Sequence, residues 1–301
     1  MRTSACLLPG LFGLSLSLAL ALSASMAGAS EPDAPADPET TQGFTSRSGR
    51  PPLELTAGLR AVHRSFSYHD TPAELFPARQ FPAPRTYELP LGPALVVGGS
   101  VFPGAWLTRG PGSWFGLTGG YELNFATQSV FGLSPNEQTL TTRAHEWFFG
   151  GKVRIPVAAH DFGLSGGVGS QAFNLLGDEA VPQVPDVEYQ FYFLRAEGRL
   201  RFNALSLDFH VGTRFVHDTG GLERDFFPGR VKTQNIEAGL SAGFPLATHL
   251  ELVAGLDWVR YAFDFNPSPP SADPSTKVIA GGAVDQYTSG WLGLRFSLPH
   301  Y

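Results

Sequence analysis

Residues 115–125 read FGLTGGYELNF. Successive side chains of an extended strand point to opposite sides, so Phe115, Leu117, Gly119, Tyr121, Leu123 and Phe125 share one face. Gly116, Thr118, Gly120, Glu122 and Asn124 share the other. One face is apolar and aromatic; the other carries glycine, hydroxyl, amide and carboxylate. The pattern returns at 205–215, where Leu205, Leu207, Phe209, Val211, Thr213 and Phe215 oppose Ser206, Asp208, His210, Gly212 and Arg214. It returns again at 192–202, where Tyr192, Leu194, Ala196, Gly198, Leu200 and Phe202 oppose Phe193, Arg195, Glu197, Arg199 and Arg201.

Worked outward from these segments, the alternation predicts ten strands near 53–68, 86–102, 112–127, 140–156, 159–174, 187–203, 205–218, 232–246, 248–265 and 285–298. Parity blurs only in the first, between Ala61 and Phe66. The runs are roughly 14 to 18 residues, against about 5 to 6 for strands of globular proteins. The connections alternate in length: long at 69–85, 128–139, 175–186, 219–231 and 266–284, short at 157–158, 204 and 247, with 103–111 intermediate. Transmembrane barrels have short turns at one end and long loops at the other, and an even strand count brings both termini to the short-turn end. The expected fold is therefore all-β, a transmembrane antiparallel up-and-down β-barrel of about ten strands; eight or twelve would fit the same class. A water-soluble β-sandwich also alternates, but its apolar face needs a second sheet to cover it. In lipid that face needs no protein partner.

At the amino end Arg2 precedes an apolar run from Leu7 to Leu22 and small residues up to Ala27-Gly28-Ala29. That is the layout of a cleaved signal peptide over 1–29. Cys6 is the only cysteine and lies ahead of the apolar run, so the exported chain is expected to hold no thiol, disulfide or thiolate metal site. Residues 30–51, rich in Pro, acid and small polar side chains, cannot bury enough apolar surface to fold and are expected to form a disordered periplasmic leader. The barrel is assigned to 52–301. Beyond Leu22 no segment reaches the roughly 18 apolar residues of a membrane-spanning helix. The net charge of −6 and the dispersed Lys and Arg argue against a nucleic-acid partner.

The last predicted strand, Trp291-Leu292-Gly293-Leu294-Arg295-Phe296-Ser297-Leu298, resembles the carboxy-terminal sorting signal of Gram-negative outer-membrane proteins. The signal is carried by Gly293, Phe296 and Leu298; Trp291 stands where a polar residue is usual, and Pro299-His300-Tyr301 extends past the expected end. The resemblance implies recognition by the barrel-assembly machinery and a place in the cell outer membrane, among its lipids. Over about 53–301 the architecture is similar to small OmpA-like and porin-like barrels, without a motif diagnostic of one family.

Parity also assigns the lumen. The inward acids would be Glu54, Glu88, Glu122, Glu146, Glu197, Asp208, Glu237, Glu251 and Asp257, and the inward bases Arg60, Arg64, Lys152, Arg154, Arg195, Arg199, Arg201, Arg214 and Arg295. The two sets balance. In a barrel this narrow, where eight strands leave an interior just filled by side chains, opposite charges can satisfy one another. The arginine fork suits that role because it binds carboxylates bidentately. The expectation is a largely plugged lumen and a structural or anchoring role, with no catalytic residue, metal or cofactor. A narrow porin-like channel for ions or small solutes is the first alternative.

An outer-membrane enzyme, omptin-like or lipid-modifying, is the second. Omptins are ten-stranded proteases with an Asp pair facing an Asp-His pair at the extracellular rim. Asp208-Phe209-His210 has the Asp-x-His spacing but the wrong depth, starting four residues after a short turn, and no Asp-x-Asp partner exists. His69-Asp70, His145-Glu146 and His217-Asp218 fall near the rim, where a carboxylate could orient an imidazole; His160-Asp161 is a fourth doublet at the opposite end. Gly166-Gly167-Val168-Gly169 lies in an alternating strand with no helix behind it, unlike a phosphate loop. The long loops carry Phe76-Pro77-Ala78-Arg79, Phe81-Pro82-Ala83-Pro84-Arg85 and Phe227-Pro228-Gly229-Arg230, aromatic and Arg pairs suited to capping the mouth or to meeting an envelope protein or glycan.

Overall fold

The computed structural model describes residues 50–79, 86–108, 110–125, 127–131, 138–176, 186–202, 204–222, 231–265 and 280–298, with backbone alone for 127–131, 138–140 and 176. The signal segment, the leader up to residue 49, the Phe-Pro-Arg sequences at 81–85 and 227–230, and Pro299-His300-Tyr301 lie outside the described residues.

The strands are β1 (Leu53–His69), β2 (Tyr87–Val101), β3 (Phe115–Asn124), β4 (Thr127–Phe131), β5 (Gln138–Val157), β6 (His160–Leu176), β7 (Val187–Arg201), β8 (Ser206–Gly220), β9 (Lys232–Ala247), β10 (Leu250–Asp264) and β11 (Gly282–Leu298). Their order is β3-β2-β1-β11-β10-β9-β8-β7-β6-β5-β4, and a further β3–β5 pairing closes the sheet on itself. Because β3 and β4 both pair with β5, they are two lengths of one barrel strand, and the wall is a closed antiparallel barrel of ten. The first and last strands meet along their whole length, from Leu53 opposite Leu298 to His69 opposite Gly282.

The outward face is apolar along most of the wall, with Leu59 64% exposed, Leu256 60% and Phe215 57%. Lipid, not water, accommodates a continuous surface of this kind. The chain is a transmembrane β-barrel of the outer-membrane type.

Three local features depart from simple alternation. In β2 the inward residues are Tyr87 and Leu89, then Gly92, Ala94 and Val96, and the register against β1 shifts between Val62 and Arg64. The extra residue is a bulge beside Pro90 and Pro93, which have no N–H to give the ladder. It overturns one expectation: Glu88 faces outward and is exposed. The third strand begins at Phe115 rather than 112, because Pro111–Trp114 is a 3-10 turn. It breaks after Asn124, where the Phe125 N–H donates to the Pro93 carbonyl (2.9 Å). Finally, the β8–β9 ladder stops at Gly212 opposite Glu237. Above it two side chains replace backbone pairing: Thr213 Oγ1 donates to Asn235 O and Asn235 Nδ2 donates to Arg214 O, both at 2.7 Å.

Ala61 to Phe66 do not break parity. Val62, Arg64, Phe66 and Tyr68 all point inward and are buried. The sequence pattern blurs there because the upper lumen, toward the long loops, is itself apolar while the outward face carries His63, Ser65 and Ser67, so the usual apolar-out, polar-in alternation is exchanged.

Candidate functional site

The lumen has two tiers. Toward the long loops it is filled by Phe66, Tyr87, Phe173, Tyr189, Phe191, Tyr261, Phe263 and Tyr287, all buried in one hydrophobic cluster. Rings meet across the bore: Tyr189 and Tyr261 with centroids 4.4 Å apart, Tyr87 and Phe173 edge to face at 5.7 Å. Glycines on neighbouring strands make the room. A Cβ on Gly169 would lie 2.7 Å from the Phe191 ring, and one on Gly120 2.5 Å from the Phe148 ring.

At the centre of this layer sit Arg64 and Asp285, both with 0% side-chain exposure. Arg64 Nε and Nη2 donate to the two Asp285 oxygens at 2.9 and 2.8 Å. Tyr189 and Tyr287 hydroxyls donate to Asp285 Oδ2 at 2.7 and 3.1 Å. The guanidinium stands 3.9 Å from the centroid of the Phe173 ring. Below this layer lies a polar cavity of about 360 Å³ reaching from Tyr287 down to Glu54.

Around that cavity cations and carboxylates interlock. Arg60 donates to Glu122 (2.8 Å) and Asp257 (2.6 Å). Arg214 donates to Glu237 (2.6 Å), Glu146 (2.7 Å), Gln171 (3.0 Å) and the Tyr261 hydroxyl (2.7 Å). Arg195 shares Glu237 with it, and Lys152 pairs with Glu197. Lower down Arg199 bridges Glu54 (2.7 Å) and Asp208, while Arg295 bridges Asp208 (2.9 Å) and Glu251 (3.2 Å). Arg201 meets Asp161. Among the bases that parity assigned to the lumen, Arg154 is the exception: among the described residues it has no salt-bridging carboxylate, stacks 3.7 Å from the Phe102 ring centroid, and donates to the Pro51 carbonyl (3.1 Å).

Sequence reasoning missed three participants. Asp285 shares the odd parity of Arg295, a signal obscured because it lies at the edge of the predicted strand; β11 begins earlier, at Gly282. Asp161, which the sequence presents as half of a turn doublet with His160, points into the lumen as the second residue of β6. Arg50, on the chain before β1, pairs with Asp161 and donates through Nη2 to the carbonyls of Ala158 (2.9 Å) and His160 (3.2 Å). No alternation could have pointed to Arg50. Since β2 and β3 stand between β1 and β5 in the wall, Arg50-Pro51 crosses the short-turn mouth as a strap.

The His-acid doublets do not assemble. On β5 His145 faces out and Glu146 in, as neighbours on a strand must; on β8 a bulge at His217-Asp218 sets Asp218 opposite the outward Gln190. His217 packs beside the Tyr192 ring instead (5.1 Å). His69 Nδ1 lies 3.0 Å from Asp70 Oδ2 at the exposed end of β1. Among the described residues no three His, Cys, Asp or Glu side chains come together as metal ligands. Asp208 is held by Arg199 and Arg295. At the sorting-signal strand Phe296 faces outward, while Gly293 faces Gly58 across the β1–β11 closure, where a Cβ would come within 2.5 Å of the Ala57 carbonyl.

No protein-family model and no curated protein matches the chain. Among solved structures it is similar to the outer membrane protease OmpT of Escherichia coli, at 10% identity over 82% of this chain and 96% of that one, with a TM-score of 0.45. It is also similar to a FadL homologue of Pseudomonas aeruginosa (9% identity, 81% and 90% covered, TM-score 0.31) and to the outer membrane phospholipase A of Escherichia coli (10% identity, 87% and 95% covered, TM-score 0.30). At these values function rests on the chain's own residues.

Proposed function

We propose that this integral outer-membrane barrel has a closed lumen and serves a structural or anchoring role, without catalysis. The observation that carries the reading is the Arg64–Asp285 pair, sealed from solvent within an aromatic layer across the bore. A buried ion pair whose carboxylate accepts four hydrogen bonds, two from Arg64 and one each from Tyr189 and Tyr287, favours one arrangement of the groups around it, although Arg64 Nη1 has no partner among the described residues. Beneath it the paired charges cancel, and the Arg50 strap with Phe102 and Arg154 narrows the other mouth. An open pore selective for one sign of charge would call for a segregated field, which this wall does not present. The partners in this reading are outer-membrane lipid, the barrel-assembly machinery during insertion, and an envelope protein or glycan met by the long loops.

The narrow-channel reading draws on the 360 Å³ cavity, which could pass a solute if the aromatic layer moved. Proteoliposome swelling separates the two. In isosmotic sugar or amino-acid solution, vesicles holding the folded protein are expected to swell no faster than protein-free vesicles. Swelling at rates proportional to protein content would overturn the closed reading.

A further inference from the structure

Every inward arginine on the wall is engaged, yet Arg260 on β10 points outward, exposed, with no hydrogen-bond or ion partner among the described residues. A cation on the lipid face is costly at mid-bilayer and nearly free of cost at the interface. Its surroundings resolve the level. In register beside it are Gln286 on β11 and Ser65 on β1; the next row down is Trp258, Thr288 and His63. All six side chains share the outward face. Directly below come Leu256, Gly290 and Ala61, and the row beneath adds Leu292 and Leu59; the three leucines are each more than half exposed. A polar patch thus caps a bed of leucines at the edge of the belt nearer the long loops, with Arg260 its one guanidinium, Ile236 beside it on β9, and the exposed Glu88 beyond Ser65 on β2, three strands from Arg260.

We infer that this patch binds the phosphorylated headgroup of an outer-leaflet glycolipid, whose acyl chains lie along the leucine bed. The guanidinium supplies paired N–H donors matched to phosphate oxygens. Gln286, Thr288 and Ser65 supply neutral donors to the sugar, and Trp258 has the amphipathic ring that favours this depth. The patch continues the lipid-facing belt and offers the charge complementary to the headgroup. The assignment rests on the barrel standing with both termini in the periplasm.

Native mass spectrometry of the folded barrel tests it, with diphosphorylated lipid A and with the same lipid after its phosphates are removed. Losing one charge-assisted contact corresponds to roughly tenfold in affinity or more. Wild type is therefore expected to retain the phosphorylated form about tenfold better than the dephosphorylated one. Arg260→Glu and Arg260→Ala should lose that preference while keeping heat-modifiable mobility. Lys232→Ala, which removes a cation opposite Asp264 two rows higher, should keep it. Equal retention of the two lipids by wild type, or an unchanged preference in Arg260→Glu, would overturn the assignment. Ser67→Cys, higher on the same face, should react with an impermeant maleimide on intact cells; its protection would overturn the assignment through the orientation, leaving the closed lumen untouched.

Discussion

Replacing Asp285 with alanine removes the acceptor of four hydrogen bonds, two from Arg64 and one each from Tyr189 and Tyr287. The guanidinium is then left buried without a counter-charge, which costs about 3–5 kcal/mol. The Phe173 face at 3.9 Å offsets part of this, about 1–2 kcal/mol for a desolvated cation–π contact. Two stranded hydroxyls add about 1 kcal/mol each. The net expected loss is about 3–6 kcal/mol. At a denaturant slope of about 2 kcal/mol/M this moves the urea midpoint down by about 2 M. Unfolding is followed by tryptophan fluorescence in vesicles, with heat-modifiable mobility as the check on the barrel. The companion variant is decisive: Arg64→Met with Asp285→Leu removes both charges and fills the space, and such exchanges are neutral or stabilising by about 1–4 kcal/mol. An Asp285→Ala midpoint equal to wild type, or a double variant as weak as the single one, would refute the view that this pair holds the upper lumen together.

Other expectations follow from the wall and its ends. A Cβ on Gly150 would lie 2.3 Å from the Gly166 carbonyl oxygen, whereas one on Gly151 meets nothing within 4 Å. Gly150→Ala should therefore cost about 1–3 kcal/mol and Gly151→Ala less than about 0.5, read as urea midpoints. Asn235→Ala removes the amide bridging to Arg214 O above the last β8–β9 pair, so hydrogen exchange at 213–220 and 231–236 should quicken while the lower barrel stays protected. Arg50→Ala releases the strap from Asp161, Ala158 and His160. A cysteine at Ser241, on the cavity wall, should then react faster with a periplasmic thiol reagent, and an unchanged rate would show that the strap does not limit access.

Most of the architecture was legible because a membrane barrel states its wall twice, once in the alternation of each strand and once in the alternation of loop lengths. Parity put Arg60, Glu122 and Asp257 on the inward face, and the closure of the wall is what brings them together from strands far apart in sequence. Where reading failed, the physics was local or tertiary. The Pro90–Pro93 bulge inverted Glu88, since one inserted residue exchanges the faces of everything beyond it. Asp285 lay at the edge of a strand whose true start is set by pairing with β1 and β10, which a single sequence does not display. The aromatic tier was visible as Phe and Tyr but not as an inward layer, because an apolar residue at the rim reads equally well as facing lipid. Arg50 acts through a contact more than a hundred residues away in sequence.

The closed lumen is tested most directly by single-channel recording of the purified, heat-modifiable barrel in a planar bilayer at neutral pH. The account predicts insertion without stable conductance steps in the wild type, and the appearance of flickering openings once Asp285→Ala loosens the aromatic layer. A large, steady conductance from the wild-type protein would contradict it.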